Sequence, residues 1–143
     1  MSNIVLVVRG IILHDNQMFL VKNRGGNFWC LPGGKVDGDE TIQDALAREI
    51  VEELGIQPVI GPLLYVQQLN LKDTQRIEFY FKLENASDFT SINLAKTTHG
   101  QAELDAAEFK DPRQVNLLPE FLAAEIYQTG QAVLPAAVTL KYR

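Results

Sequence analysis

The sequence predicts a single α/β domain spanning residues 1–143, and three observations carry that reading. Short runs rich in Val and Ile recur along the chain, one stretch from Thr41 to Leu54 switches to a helical period, and no internal repeat or low-complexity segment interrupts them. At 143 residues and 46% hydrophobic, the chain has the size and apolar content of one domain with its own core. Its charged fraction of 22%, with both signs interspersed, argues against disorder.

The elements follow in order. Ile4 to Leu13 reads as a strand buried on both faces, Asp15-Asn16 as a turn, and Met18 to Val21 as the second arm of a hairpin. Phe28 to Leu31 is a short strand ended by Pro32-Gly33-Gly34, where the two glycines suggest a tight turn. Thr41 is placed to cap the helix, with Asp44 three residues on, and Gly55 stands where a helix end favours a left-handed residue. Pro62 to Leu71 and Arg76 to Leu83 form two strands around the turn Lys72-Asp73-Thr74. Ile77, Phe79 and Phe81 alternate there with Glu78, Tyr80 and Lys82, which predicts one buried and one wetter face. Asn85 to Gln101 is polar, aperiodic and long for a connection, so it reads as a mobile surface loop or a lid. Leu104 to Phe109 suggests a strand, and Leu118 to Tyr127 a helix begun by Pro119. The apolar tail from Ala132 to Tyr142 suggests an edge strand or a surface packed on a partner, which leaves a homodimer open.

A net charge of -5 disfavours attraction of the whole molecule to DNA or to anionic lipid, so an anionic ligand needs a local cation. The lone Cys30 cannot form an internal disulfide. It reads as a small buried strand residue, and a free thiol suits a reducing, cytoplasmic compartment. The apolar N-terminal run is interrupted by Arg9 and reads as a strand, neither a signal peptide nor a membrane span.

The informative stretch is the helix. At about 100° per residue, Glu49, Glu52 and Glu53 fall on one arc, and Leu46, Ala47, Ile50, Val51 and Leu54 on a broadly opposite one. Three carboxylates at this spacing repel unless a cation neutralises them. Mg²⁺ is suited to that, since it binds through a few carboxylates, water and substrate phosphates. Helix geometry alone is also satisfied by a solvated acidic face. Arg48, one turn before Glu52, can pair with a carboxylate.

The stretch from Gly34 to Ile56 resembles the Nudix box, G-x5-E-x7-R-E-U-x-E-E-x-G-U with U aliphatic. Gly34, Glu40, Arg48, Glu49, Ile50, Glu52, Glu53, Gly55 and Ile56 match every defined position. A chance match is expected less than about once in a million chains of this length at ordinary residue usage. The flanking Phe28-Trp29-Cys30-Leu31-Pro32-Gly33 and Asn116-Leu117-Leu118-Pro119-Glu120 also resemble segments found in that family.

The resemblance implies an α/β/α sandwich with a mixed β-sheet and a loop-helix-loop catalytic motif. It implies Mg²⁺, for which Mn²⁺ can substitute, held by Glu49, Glu52, Glu53 and the Gly34 carbonyl. Arg48 is implied to orient the carboxylates and Glu40 to hold the loop. The implied reaction is hydrolysis of the diphosphate linkage in a nucleoside diphosphate derivative. Its general base is Glu53, Glu52 or an acid beside the long loop, namely Glu103, Asp105 or Glu108. Glu103 is preferred, because a carboxylate bound to metal is a poorer proton acceptor than one just outside.

Arg9, Lys22, Arg24 and Arg76 are candidates to contact phosphate, and Trp29 and Tyr80 to stack on a base or to fill the core. His14 and His99 lack zinc-ligand spacing. Leu71-Lys72-Asp73-Thr74 carries neither the Pro that marks ADP-ribose enzymes of the family nor the Tyr that marks diadenosine polyphosphate enzymes. Nucleoside triphosphates, including oxidised ones, therefore rank slightly ahead of nucleotide sugars such as ADP-ribose. A nucleotide-binding domain without hydrolytic activity is the alternative class.

Overall fold

A computed structural model describes residues 3–142. The chain runs β1 (Asn3–Ile11), β2 (Leu13–His14), β3 (Gln17–Asn23), β4 (Trp29–Cys30), β5 (Gly33–Lys35), α1 (Ile42–Leu54), β6 (Ile60–Asn70), β7 (Thr74–Leu83), α2 (Gly100–Glu103), β8 (Leu104–Lys110), β9 (Leu117–Leu118), α3 (Phe121–Ile126) and β10 (Thr139–Tyr142). Single-turn 3-10 helices stand at Ala86–Phe89, Leu94–Lys96 and Pro112–Gln114. None of these helices is long and apolar enough to cross a membrane.

The strands form two sheets. The first has the order β10-β6-β7-β1-β5, with β1 parallel to β7 and β6 antiparallel to it. The second joins β2, β3, β4 and β9, with β8 antiparallel to β3. Successive side chains of a strand point to opposite faces, and β7 divides accordingly between two cores. Phe81 and Leu83 pack with Ala45, Leu46, Ile50 and Leu54 of α1, whereas Tyr80 packs with Leu122 and Ile126 of α3. Helices therefore cover opposite sides, giving the layered α/β/α arrangement that the box implies.

Several local expectations are corrected. The first apolar run is not one strand: it breaks after Ile11, and β2 enters the second sheet. Asp15 and Asn16, at φ 50 and 61, supply the left-handed pair that a two-residue hairpin loop requires. Gly33-Gly34 is not a tight turn but the start of β5, paired with Arg9 and Val8. A Cβ on Gly33 would lie 1.9 Å from the Val8 carbonyl oxygen, at φ +144, so only glycine lets the two backbones approach this closely. The last helix begins at Phe121 rather than Leu118, because Leu117 and Leu118 pair with β4. Val51, read from the helix period as a core position, is 40% exposed, while Glu53 takes a buried place beside Ile50 and Leu54. The expected wetter face of β7 is covered as well: Glu78 and Tyr80 are buried, as is Phe81 on the other face.

Residues 85–101, read from sequence as a mobile surface loop or a lid, carry local structure and contacts with α1. Two 3-10 turns bury Phe89 and Thr97, and the end of the segment clasps the last turn of α1. His99 N–H and Thr98 Oγ1 both donate to the Glu52 carbonyl, at 2.8 and 3.1 Å. Gly100 lies so close that a Cβ there would stand 1.9 Å from the Glu53 carbonyl oxygen. Because the obstacle is helix backbone, an added methyl must push the clasp away. Gly100→Ala is expected to lower stability by about 2 kcal/mol in denaturant titrations and to speed hydrogen exchange across residues 97–103. Wild-type stability and exchange in that variant would mean that the segment is not anchored on α1.

Candidate active site

The helix that presents the acids is fixed at both ends by its own sequence. Thr41 Oγ1 accepts from the Asp44 amide at 3.1 Å, and Gly55, at φ 74, donates its N–H to the Val51 carbonyl. Arg48 forms the hub between them. Its Nε and Nη2 donate to the two oxygens of Glu40 at 2.7 and 2.9 Å, and Nη2 also reaches the Lys35 carbonyl at 3.1 Å. Its Nη1 donates to Glu49 at 3.1 Å and Glu52 at 3.3 Å. Glu40 accepts as well from the Asp37 amide at 2.9 Å, so one guanidinium and one carboxylate tie the loop before α1 to the helix. The Arg48 hydrogen bonds, then the Asp37 amide, hold the Glu40 carboxyl below the usual carboxylate range.

Glu53 is only 8% exposed. Burial first, and the adjoining Glu49 next, push its carboxyl up to about 8, with Arg9 opposing and Glu103 adding to the shift. Burial raises Glu49 too, with Arg48 opposing and the neighbouring Glu52 adding to the shift. Glu49 lies against Gly34, where a Cβ would come within 2.5 Å of its carboxyl carbon. Glu52 turns instead toward Arg48 and toward His99 Nδ1 at 3.1 Å. The structure thus gathers Gly34, Arg48, Glu49, Glu52 and Glu53 at one end of α1. Contact with His99 was missed from sequence because no spacing rule links positions 52 and 99; only the folded clasp does.

No three His, Cys, Asp or Glu groups among the described residues stand together as a ready-made ion cage. The donor set nevertheless fits a hard divalent cation. Mg²⁺ needs only one or two protein carboxylates when water and substrate phosphates complete its shell, and a cation beside the half-buried Glu49 and the buried Glu53 would favour the ionised carboxylates that burial and their mutual proximity disfavour.

The other candidates separate. Arg24 spends its guanidinium on the carbonyls of Ala102 and Gln101, at 2.8 and 2.7 Å, capping α2 rather than awaiting phosphate. Lys22 and Lys110 lie over the Trp29 ring, 6.0 and 4.8 Å from its centroid. Asp105 accepts from the Gly25 amide, and Glu108 pairs with Lys110. Glu103 is exposed at the end of α2, near enough for its charge to act on Glu53. Arg9 donates to the Leu31 carbonyl at 3.2 Å and lines a cavity of about 350 Å³ that also includes Cys30, Gln67, Arg76, Glu78 and Tyr80. A hollow of about 490 Å³ between α3 and the C-terminal tail is lined by no Arg or Lys, so it suits an anionic ligand less well.

Comparison with known proteins matches this geometry to a family. The NUDIX domain profile matches residues 5–130. An ADP-ribose pyrophosphatase of Methanocaldococcus jannaschii is 42% identical over 64 residues, 43% of this chain and 38% of that protein. An 8-oxo-dGTP diphosphatase of Proteus vulgaris is 41% identical over 78 residues, 51% of this chain and 62% of that protein. The chain therefore spans about half the length of such relatives. The solution structure of the E. coli ORF135 protein superposes with a TM-score of 0.66 at 22% identity, covering 91% of this chain and 96% of that one, a likeness of fold. With a family profile that takes in nearly all of the described residues, the chain belongs to the NUDIX domain family.

Proposed function

We propose that the chain hydrolyses the diphosphate linkage of a nucleoside diphosphate derivative, with Mg²⁺ as the metal. The observation that carries this reading is the half-buried Glu49, held against Gly34 and braced by Arg48, beside the buried Glu53. Glu49 and Glu53, with Glu52 and the Gly34 carbonyl alongside, would hold the ion. A divalent ion held there would supply charge neutralisation for phosphoryl oxygens and activation of water. Arg48 keeps the carboxylates aimed, Arg9 meets a phosphate group at the cavity mouth, and Glu103, outside the metal shell, takes the proton from the attacking water. Relatives named as 8-oxo-dGTP diphosphatase and ADP-ribose pyrophosphatase support a nucleotide substrate, a triphosphate or a nucleotide sugar.

A phosphate-release assay over nucleoside triphosphates and nucleotide sugars tests the reading. Turnover is expected with Mg²⁺ or Mn²⁺ and none in excess chelator; no turnover of any nucleotide with metal present would refute hydrolysis. Glu103→Gln is expected to lower kcat on the order of 10²-fold with KM little changed, the loss shrinking at high pH where hydroxide replaces the base. A variant with wild-type kcat at neutral pH would move the base to Glu52 or Glu53.

Stability should report the same site without catalysis. Glu53 is raised in the folded state, so its contribution is present below the ordinary carboxylate value of about 4.3 and lost as pH rises through about 8. Melting temperatures of the metal-free protein should fall over that window, and saturating Mg²⁺ or Glu53→Gln should flatten the decline. A Glu53→Gln profile parallel to wild type would remove Glu53 as its cause.

A further inference from the structure

The hydrolytic machinery on α1 leaves unused a buried polar group that lines the cavity beside Arg9. Arg76, Glu78 and Tyr80 alternate on β7 and so share one face, and Gln67 stands opposite Glu78 in register on β6. Glu78 is 7% exposed and Gln67 2%. Burying a carboxylate is costly unless its oxygens are satisfied, and here the satisfaction is partial. Tyr80 donates its hydroxyl to Glu78 Oε1, but Arg76 Nη1 stands 3.5 Å from Oε2, long for a hydrogen bond. Arg76 Nε is buried and has no hydrogen-bond partner. Both side chains, each with a polar atom left incompletely bonded, line a cavity of about 350 Å³.

The chemistry of these groups limits the occupant. A phosphate would meet the Glu78 carboxylate as a like charge, which leaves Arg9, near Glu53, as the phosphate contact. Glu78 calls for a neutral group with N–H or O–H donors, and Arg76 for an acceptor next to them. Guanine offers its O6 acceptor, ring N1–H and amino N–H in a row, so a carboxylate can accept two bonds while a guanidinium donates to O6. Adenine places a ring nitrogen lone pair beside its amino group on either edge and gives the carboxylate one donor site fewer.

We infer that Arg76, Glu78 and Gln67 form a base-reading site selective for the O6/N1–H/N2–H edge of a guanine nucleotide, a specificity that rests on the proposed nucleotide hydrolysis. Glu78 is the discriminating residue. Gln67 holds the amide side of the cavity, and Tyr80 fixes the carboxylate through its hydroxyl.

Calorimetric binding of dGMP, dIMP and dAMP to the intact protein without metal isolates the base from the metal chemistry. The wild type should bind dGMP at least about 10-fold more tightly than dAMP, with dIMP, which lacks the amino group, between them. Glu78→Gln, checked for native circular dichroism and melting, should weaken dGMP by roughly 10- to 100-fold and dAMP by less than about 3-fold. Equal wild-type affinity for the three, no binding of any at millimolar concentration, or an equal loss for dGMP and dAMP in the variant would overturn the assignment. The wild-type series decides even if the variant does not fold. Metal-dependent turnover of all triphosphates at one rate, with flat monophosphate affinities, would remove the base site and leave hydrolysis standing. Selective dGMP binding without turnover of any nucleotide would do the reverse.

Discussion

The Arg48 guanidinium is the interaction on which the rest of the site depends. It is bonded to Glu40, Glu49 and Glu52 and lies 3.3 Å from Asp37, so a single cation faces four carboxylates. Each charge-assisted bond is stronger than a neutral one, and the bidentate grip on Glu40 fixes direction as well as distance. Without it, Glu49 and Glu52 would be free to turn toward solvent and the loop from Lys35 to Glu40 would lose its tie to α1. Yet Arg48 does not neutralise everything. Glu53 lies deeper, and its charge is opposed chiefly by burial and by Glu49. That imbalance, an acid held in place with insufficient positive charge around it, is what a divalent cation remedies.

Two close backbone approaches set where that acid stands. At Gly33, β5 comes against β1 at a distance no side chain permits, which brings Gly34 under the Glu49 carboxyl. At Gly100, the clasp comes against the last turn of α1 and delivers His99 to Glu52 and Glu103 to the neighbourhood of Glu53. Arg24 secures the clasp from the other side through the carbonyls of residues 101 and 102. The segment read as a loop or lid is therefore tied to the helix that presents the acids.

The helix and its acids were legible in the sequence because they obey local rules. Capping by Thr41, the left-handed Gly55 and the pairing of Arg48 with Glu52 depend on residues close in the chain, whereas the role of Glu40 in holding the loop came from the family resemblance. The two long strands of the hairpin β6–β7 were legible for the same reason. What failed was long-range or depended on burial. Period alone put Val51 in the core and left Glu53 on a solvated arc, because it cannot tell which edge of an amphipathic helix the clasp will cover. Glu78 and Tyr80 looked wetter than Phe79, since the pattern does not say that both faces of β7 are covered. Gly33-Gly34 read as a turn because glycine marks both turns and close strand contacts, and only the position of β1 distinguishes them.

A divalent ion between Glu49 and Glu53 is the central element of the proposed site, and the most direct measurement of it is an anomalous difference map from crystals soaked in Mn²⁺ with a nonhydrolysable nucleotide. A peak is expected within about 2.5 Å of oxygens from both carboxylates, with nucleotide phosphate completing the shell. A peak elsewhere, or nucleotide bound in the cavity with no ion at these two residues, would contradict it.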